Sequence, residues 1–202
     1  MERANGPEVV CWRCGSHEHH RALWLYLDRM RPELLSRSGA LLHFAPEWGL
    51  AQRLRERVGR YVSADLDPQV GELTLDITAI DLPDASFDYV ICSHVLEHVP
   101  DDGVAMRELR RILVPGGRAI VMVPVDRNRD ATLEDPEITS REARRDAYWQ
   151  EDHVRLYALD IIDRLTAAGF HVDHARPSEC LSPAEIERFA LPGGNEIFVC
   201  TA

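Results

Sequence analysis

The sequence contains no lysine: all 23 of its basic residues are arginine. That excludes a lysine general base, a Schiff-base lysine and the phosphate-binding lysine of a P-loop. The bias fits a GC-rich bacterial coding background. Positive charge is scarce overall, since 34 Asp and Glu against 23 Arg leave a formal net charge of −11. A field of that sign repels phosphate backbones, so no nucleic-acid partner is expected unless a local arginine patch overrides it. No apolar run approaches the roughly 20 residues that cross a bilayer, and the opening MERANGPE lacks a signal-peptide pattern. A cytoplasmic location without membrane association is the expectation. The five cysteines are an odd number and argue against a disulfide framework. Cys92 and Cys200 fall in apolar runs and are expected to be buried, Cys180 falls in a polar loop, and only Cys11 and Cys14 form a pattern.

What is present suits one folded domain with a small appendage. The chain has 202 residues, 45% of them hydrophobic and 28% charged, enough for a sizeable core. In 20–35, Leu23, Trp24, Tyr26, Leu27 and Met30 recur at helical spacing and predict an amphipathic helix. A strand Ala40–Phe44 follows, then a helix over about 48–58, a strand over 61–65 and a short strand over 71–77. The gap between the last two has no room for a crossover helix. FDYVICS (87–93) reads as a buried strand, 102–113 as a helix ended by Pro115-Gly116-Gly117, and 118–125 as a strand. After a polar stretch, a helix over about 158–168 and strands over 170–175 and 196–201 complete an alternating pattern that predicts a parallel α/β sheet. The stretch 126–152 is rich in Asp, Glu and Arg and reads as a surface excursion of the kind that forms lids. The expected division is 1–38 as an N-terminal segment with a covering helix, and 39–202 as the main domain.

Glycine is missing where a nucleotide-binding βα turn needs it. The first strand runs into Ala45, Pro46, Glu47 and Trp48 before a single Gly49, a poor cradle for phosphate. Acids stand there instead: Glu47 after the first strand, Asp65 and Asp67 after the second, Asp76 after the third. Ligands of open α/β sheets bind at those carboxyl ends. Asp65 has the position of the acid that accepts from ribose hydroxyls, Asp76 is placed to accept from an adenine amine, and Glu47 to pair with an ammonium. The competing explanation for each acid is a turn or helix cap.

The segments HFAPE (43–47), SADLDP (63–68), DITAIDLPDASFDYVICSHVLEHVPDD (76–102), ELRRILVPGG (108–117) and DHVRLY (152–157) resemble the class I S-adenosylmethionine (SAM)-dependent methyltransferases. They are particularly similar to a bacterial branch with HFAPE in place of the glycine-rich first motif. The resemblance implies a Rossmann-like fold with a mostly parallel seven-stranded sheet and helices on both faces. It implies that Phe44, Ala45, Glu47 and Gly49 hold the amino acid end of SAM, Asp65 and Leu66 the ribose, Asp76 and Ile77 the adenine, and that Ser93 and His94 flank the sulfonium. SAM carries no phosphate, which accounts for the missing glycines.

CWRCGSHEHHR (11–21) has a C-x-x-C spacing suited to structural zinc, with Cys11 and Cys14 as candidate ligands and His17, His19 and His20 nearby. His153 and His94 are the candidate general bases, with a loop-anchoring hydrogen bond as the alternative for His153. Arg127, Arg155 and Tyr157 are candidate acceptor-binding residues, the arginines for an anionic group. The expected activity is methyl transfer from SAM to a small-molecule acceptor, most readily an oxygen nucleophile of natural-product or sugar type, by a monomer or homodimer. Transfer to nitrogen or carbon, and a non-catalytic zinc-linked binding module on a relic of the fold, are the alternatives.

Overall fold

The computed structural model describes residues 10–191, 193 and 195–202. The opening MERANGPE and most of the run-up to Cys11 lie outside the described residues. Seven strands form one sheet: β1 (Ala40–Phe44), β2 (Arg60–Asp65), β3 (Leu73–Thr74), β4 (Phe87–Ser93), β5 (Leu113–Met122), β6 (His171–Ala175) and β7 (Ile197–Thr201). Their order is β3-β2-β1-β4-β5-β7-β6. Only β7 runs against its neighbours, pairing antiparallel with β5 and β6. Strand order reverses between β1 and β4, so their carboxyl ends open the crevice in which such sheets bind ligands.

Alternation along the strands sends side chains to two cores. Leu42, Phe44, Val90, Cys92, Ala119 and Val121 pack on one face with Ala105, Met106 and Leu109 of α3 (Asp102–Arg111) and Ile161 and Leu165 of α5 (Ile161–Ala167). Leu41, Ile91, Ile120 and Met122 pack on the other face with Leu23 of α1 (Glu18–Leu25) and Leu50 and Leu54 of α2 (Trp48–Arg55). This is the expected Rossmann-like methyltransferase architecture, helices on both faces of a mostly parallel sheet.

Several boundaries differ from expectation for local reasons. The helix foreseen over 20–35 is α-helical only to Leu25, widens into a π-turn over Tyr26–Met30 and stops before the 3-10 turn Pro32–Leu34, because proline lacks the N–H a continuing helix needs. The strand foreseen over 71–77 pairs only at Leu73–Thr74. Asp76 then folds the chain away by accepting from the Thr78 N–H at 2.8 Å and hydroxyl at 2.7 Å. Pro115-Gly116-Gly117 does not end α3. It forms an irregularity inside β5, where the register with β4 shifts between Phe87 and Tyr89, and a Cβ on Gly117 would meet the Val114 carbonyl at 2.8 Å. A short helix not foreseen, α6 (Pro183–Arg188), is closed by a Ser182–Glu185 capping box.

The polar insert after β5 carries α4 (Arg141–Tyr148), with Ser140 as N-cap. It is fastened to the segment that follows it. Leu133 bridges to Leu156, the Thr132 hydroxyl donates to Asp160 Oδ1 at 2.6 Å, and Tyr148 is fully buried with its hydroxyl donating to the Asp135 carbonyl at 3.1 Å. Sequence polarity suggested few apolar anchors; Tyr148 and Leu156 supply them.

Candidate active site

Three acids stand at the carboxyl edge of β1, β2 and β3, on adjacent strands. Asp65 Oδ1 accepts from the Asp67 N–H at 2.8 Å, and Asp76 Oδ1 is taken by Thr78. Each keeps its second carboxylate oxygen free of protein hydrogen bonds among the described residues. Leu66, beside Asp65, is 71% exposed, while Ile77, beside Asp76, is buried. An apolar side chain held in solvent next to an unfilled acid is a surface suited to a nucleoside, whose sugar needs acceptors and whose base needs an apolar plate.

The first turn is built differently. Ala45 sits at φ +48°, a left-handed conformation that usually calls for glycine, and its N–H donates to the Ala64 carbonyl at 2.9 Å. Glu47 is engaged by histidines on both oxygens: His20 Nε2 lies 2.8 Å from Oε1 and His43 Nε2 lies 3.4 Å from Oε2. Burial alone would raise this carboxyl, but the two imidazoles hold it well below the usual carboxylate range. A ligand ammonium at Glu47 therefore has to share with His20 or displace it. Gly49 faces the N-terminal segment, where a Cβ would lie 3.3 Å from the Cys14 carbonyl.

At the other side of the crevice, β4 ends in Ser93, buried with an unpartnered hydroxyl, and His94 at φ +55°. The His94 ring packs 4.0 Å from His19 of α1, and His94 Nδ1 lies 3.1 Å from Glu97 Oε1. Burial and the neighbouring His94 and His20 depress His19 to about 4. A continuous line of imidazoles and carboxylates thus runs from His43 through Glu47, His20, His19 and His94 to Glu97. Glu97 was not anticipated from sequence; its only signal is the i, i+3 spacing from His94.

Arg155 and Tyr157, expected at the acceptor, lie inside the protein. Arg155 is 1% exposed, and its guanidinium donates to the carbonyls of Leu96 at 2.7 Å and Pro100 at 2.9 Å and to Glu134 at 2.6 Å. Tyr157 is fully buried and donates to Asp102 Oδ2 at 2.7 Å, an oxygen that also accepts from Arg164 at 2.8 Å. Both residues fasten the post-insert segment to the β4–α3 turn. Arg127 pairs at 3.0 Å with Glu196, which also receives His174 at 2.6 Å and Arg176 at 3.1 Å, so its charge is already met inside the protein.

His153 is 1% exposed, with Nδ1 bonded at 2.9 Å to the Tyr148 carbonyl. Burial, with His98 adding to it, lowers its affinity for a second proton. Cys11 and Cys14 are free thiols, and Cys14 donates to the Ser16 hydroxyl at 3.2 Å. Among the described residues no further ligand converges on the pair.

Residues 49–121 match the family described as "Methyltransferase domain". A 59-residue stretch is 41% identical to 27-O-demethylrifamycin SV methyltransferase of Amycolatopsis mediterranei (strain S699), covering 29% of this chain and 22% of that protein. Another of 58 residues is 36% identical to the ubiquinone/menaquinone biosynthesis C-methyltransferase UbiE of Geobacter sulfurreducens (strain ATCC 51573 / DSM 12127 / PCA), covering 27% of this chain and 23% of that protein. The matches thus span under a quarter of those curated relatives. The solved S-adenosylmethionine-dependent methyltransferase of Mesorhizobium loti superposes with a TM-score of 0.62 at 15% identity, over 90% of this chain and 98% of that one. The matched segment, residues 49–121, is similar to that family in sequence, and the sheet that contains it has the fold of the solved methyltransferases. HFAPE, residues 43–47, lies just ahead of the matched segment.

Proposed function

We propose that this protein transfers a methyl group from SAM to an oxygen nucleophile on a small molecule. The observation that carries the reading is the succession of acids at three adjacent strand ends, with an oxygen to spare on Asp65 and on Asp76, beside the exposed Leu66. The donor set fits SAM, with a cationic amino acid end toward Glu47, a ribose on Asp65 and an adenine on Asp76 and Ile77. SAM supplies a methyl group already activated by its sulfonium.

The chain's own work is to align the acceptor and take its proton. His94 is the base in this reading. It stands at the end of β4, partly exposed, with Glu97 Oε1 3.1 Å from Nδ1. His153, sealed from solvent, serves the scaffold rather than the acceptor. The 126–152 insert, starting from the carboxyl end of β5, forms the acceptor-side wall and lid. An acidic chain without lysine favours a neutral or cationic acceptor.

Calorimetric titration with SAM and S-adenosylhomocysteine tests the reading. Micromolar binding to the wild type that weakens at least about tenfold, or 1.4 kcal/mol, in Asp65→Ala supports it. Absence of binding to folded wild type would leave the protein as a non-catalytic module on the same fold.

A further inference from the structure

Two clusters of metal-ligating side chains occur among the described residues: His19 with His20 and Glu47, and Glu97 with His98 and His153. Hydrogen-bond direction separates them. His20 Nδ1 accepts from the His17 N–H at 3.1 Å, so the proton of its neutral ring is on Nε2, facing Glu47 at 2.8 Å. A donor meets an acceptor there, and nothing further is needed.

The second cluster is the reverse. The Tyr148 carbonyl can only accept, so His153 Nδ1 carries the ring proton and Nε2 is a bare lone pair, without any hydrogen-bond partner. Glu97 is 1% exposed; His94 Nδ1 lies 3.1 Å from its Oε1 without forming a hydrogen bond, and Oε2 has no partner. His98 Nδ1 lies 3.3 Å from Asp152 Oδ2, an outward carboxylate that orients its ring. Ligand atoms of Glu97, His98 and His153 all lie within 4.8 Å of one another. Acceptors converge on acceptors in a largely buried space, an arrangement that is costly unless a proton or a cation sits between them.

We propose that Glu97, His98 and His153 bind one divalent transition-metal ion of the zinc class. Two imidazoles and a carboxylate make the three-ligand set that leaves a fourth position open, and outer groups already fix both rings as such sites require. Bonds of about 2.0–2.2 Å ask the three ligand atoms only to draw together modestly. His98, with about a third of its side chain exposed, is the path of entry. The ion would tie the post-insert segment to the β4–α3 turn, where the Val154 N–H already donates to the Glu97 carbonyl at 2.9 Å. The site stands whether or not methyl transfer is confirmed, since its readout is metal content.

The test is metal analysis of protein made without an affinity tag, incubated with zinc and desalted, together with cobalt substitution read by visible ligand-field absorption. About one equivalent is expected in the wild type and in the Cys11→Ser/Cys14→Ser double variant, with loss in His98→Ala and Glu97→Gln. His98→Ala removes the least buried ligand, and circular dichroism shows whether each variant is folded. Metal that leaves with the cysteines, or is equal in all folded variants, overturns the proposal. So does a metal-free wild type, in which a proton shared by Glu97 and His153 would fill the gap.

Discussion

His20 Nε2 lies 2.8 Å from Glu47 Oε1, so the N-terminal helix is fastened directly to the turn that follows β1. Cutting that contact leaves a mostly buried carboxylate with His43 alone. His20→Ala is expected to lower stability by about 1–3 kcal/mol in urea unfolding followed by tryptophan fluorescence. An unchanged midpoint would mean that α1 is held by Leu23 and Tyr26 without help from the ion pair.

The same helix should loosen in acid. His19 is depressed from 6.5 to about 4 by burial, so as pH falls below 6.5 the unfolded chain takes up a proton that the folded chain refuses, and stability declines until about pH 4. Glu47, held low, adds a loss at still lower pH, beginning near its unfolded value and continuing toward its folded one. Thermal midpoints measured across pH 7 to 4 should fall, and fall less in His19→Gln.

Ala45 holds φ +48° without being glycine. A left-handed alanine costs roughly 1–2 kcal/mol, and the added backbone freedom of glycine in the unfolded state recovers roughly 0.5–1 of the advantage in substituting it. Ala45→Gly is expected to raise stability by up to about 1 kcal/mol in chemical denaturation.

Arg155 and Arg127 looked equivalent as acceptor ligands and should behave differently. Removing the sealed Arg155 strands the carbonyls of the β4–α3 turn together with Glu134, a loss of about 3–5 kcal/mol for a buried ion pair with one partner missing. Arg127→Ala leaves Glu196 with His174 and Arg176 and should cost far less. Parallel denaturation curves check the contrast.

If His94 is the base, His94→Gln should lower kcat by a factor of about 10²–10⁴ while S-adenosylhomocysteine affinity changes little. Turnover equal to wild type would remove it from the mechanism and point to an acceptor that arrives without a proton to lose.

The sequence by itself determined the sheet, because strand and helix identity rest on periodicity: Ala40–Phe44 and Phe87–Ser93 have the bounds that their apolar runs imply. It also placed Asp65 and Asp76 at strand ends, since in an α/β chain position along the sequence is position on the ligand edge. Where side chains point across the fold was decided only by tertiary structure. Nothing local distinguishes the sealed guanidinium of Arg155 from the half-exposed one of Arg127, and burial follows from the β4–α3 turn 55 residues away. Glu97 was silent for the same reason: a carboxylate shows no sign in one dimension of whether hydrogen-bond donors or other acceptors will surround it. That Cys14 packs on Gly49 while His20 reaches Glu47 depends on how α1 docks, a matter of shape rather than pattern.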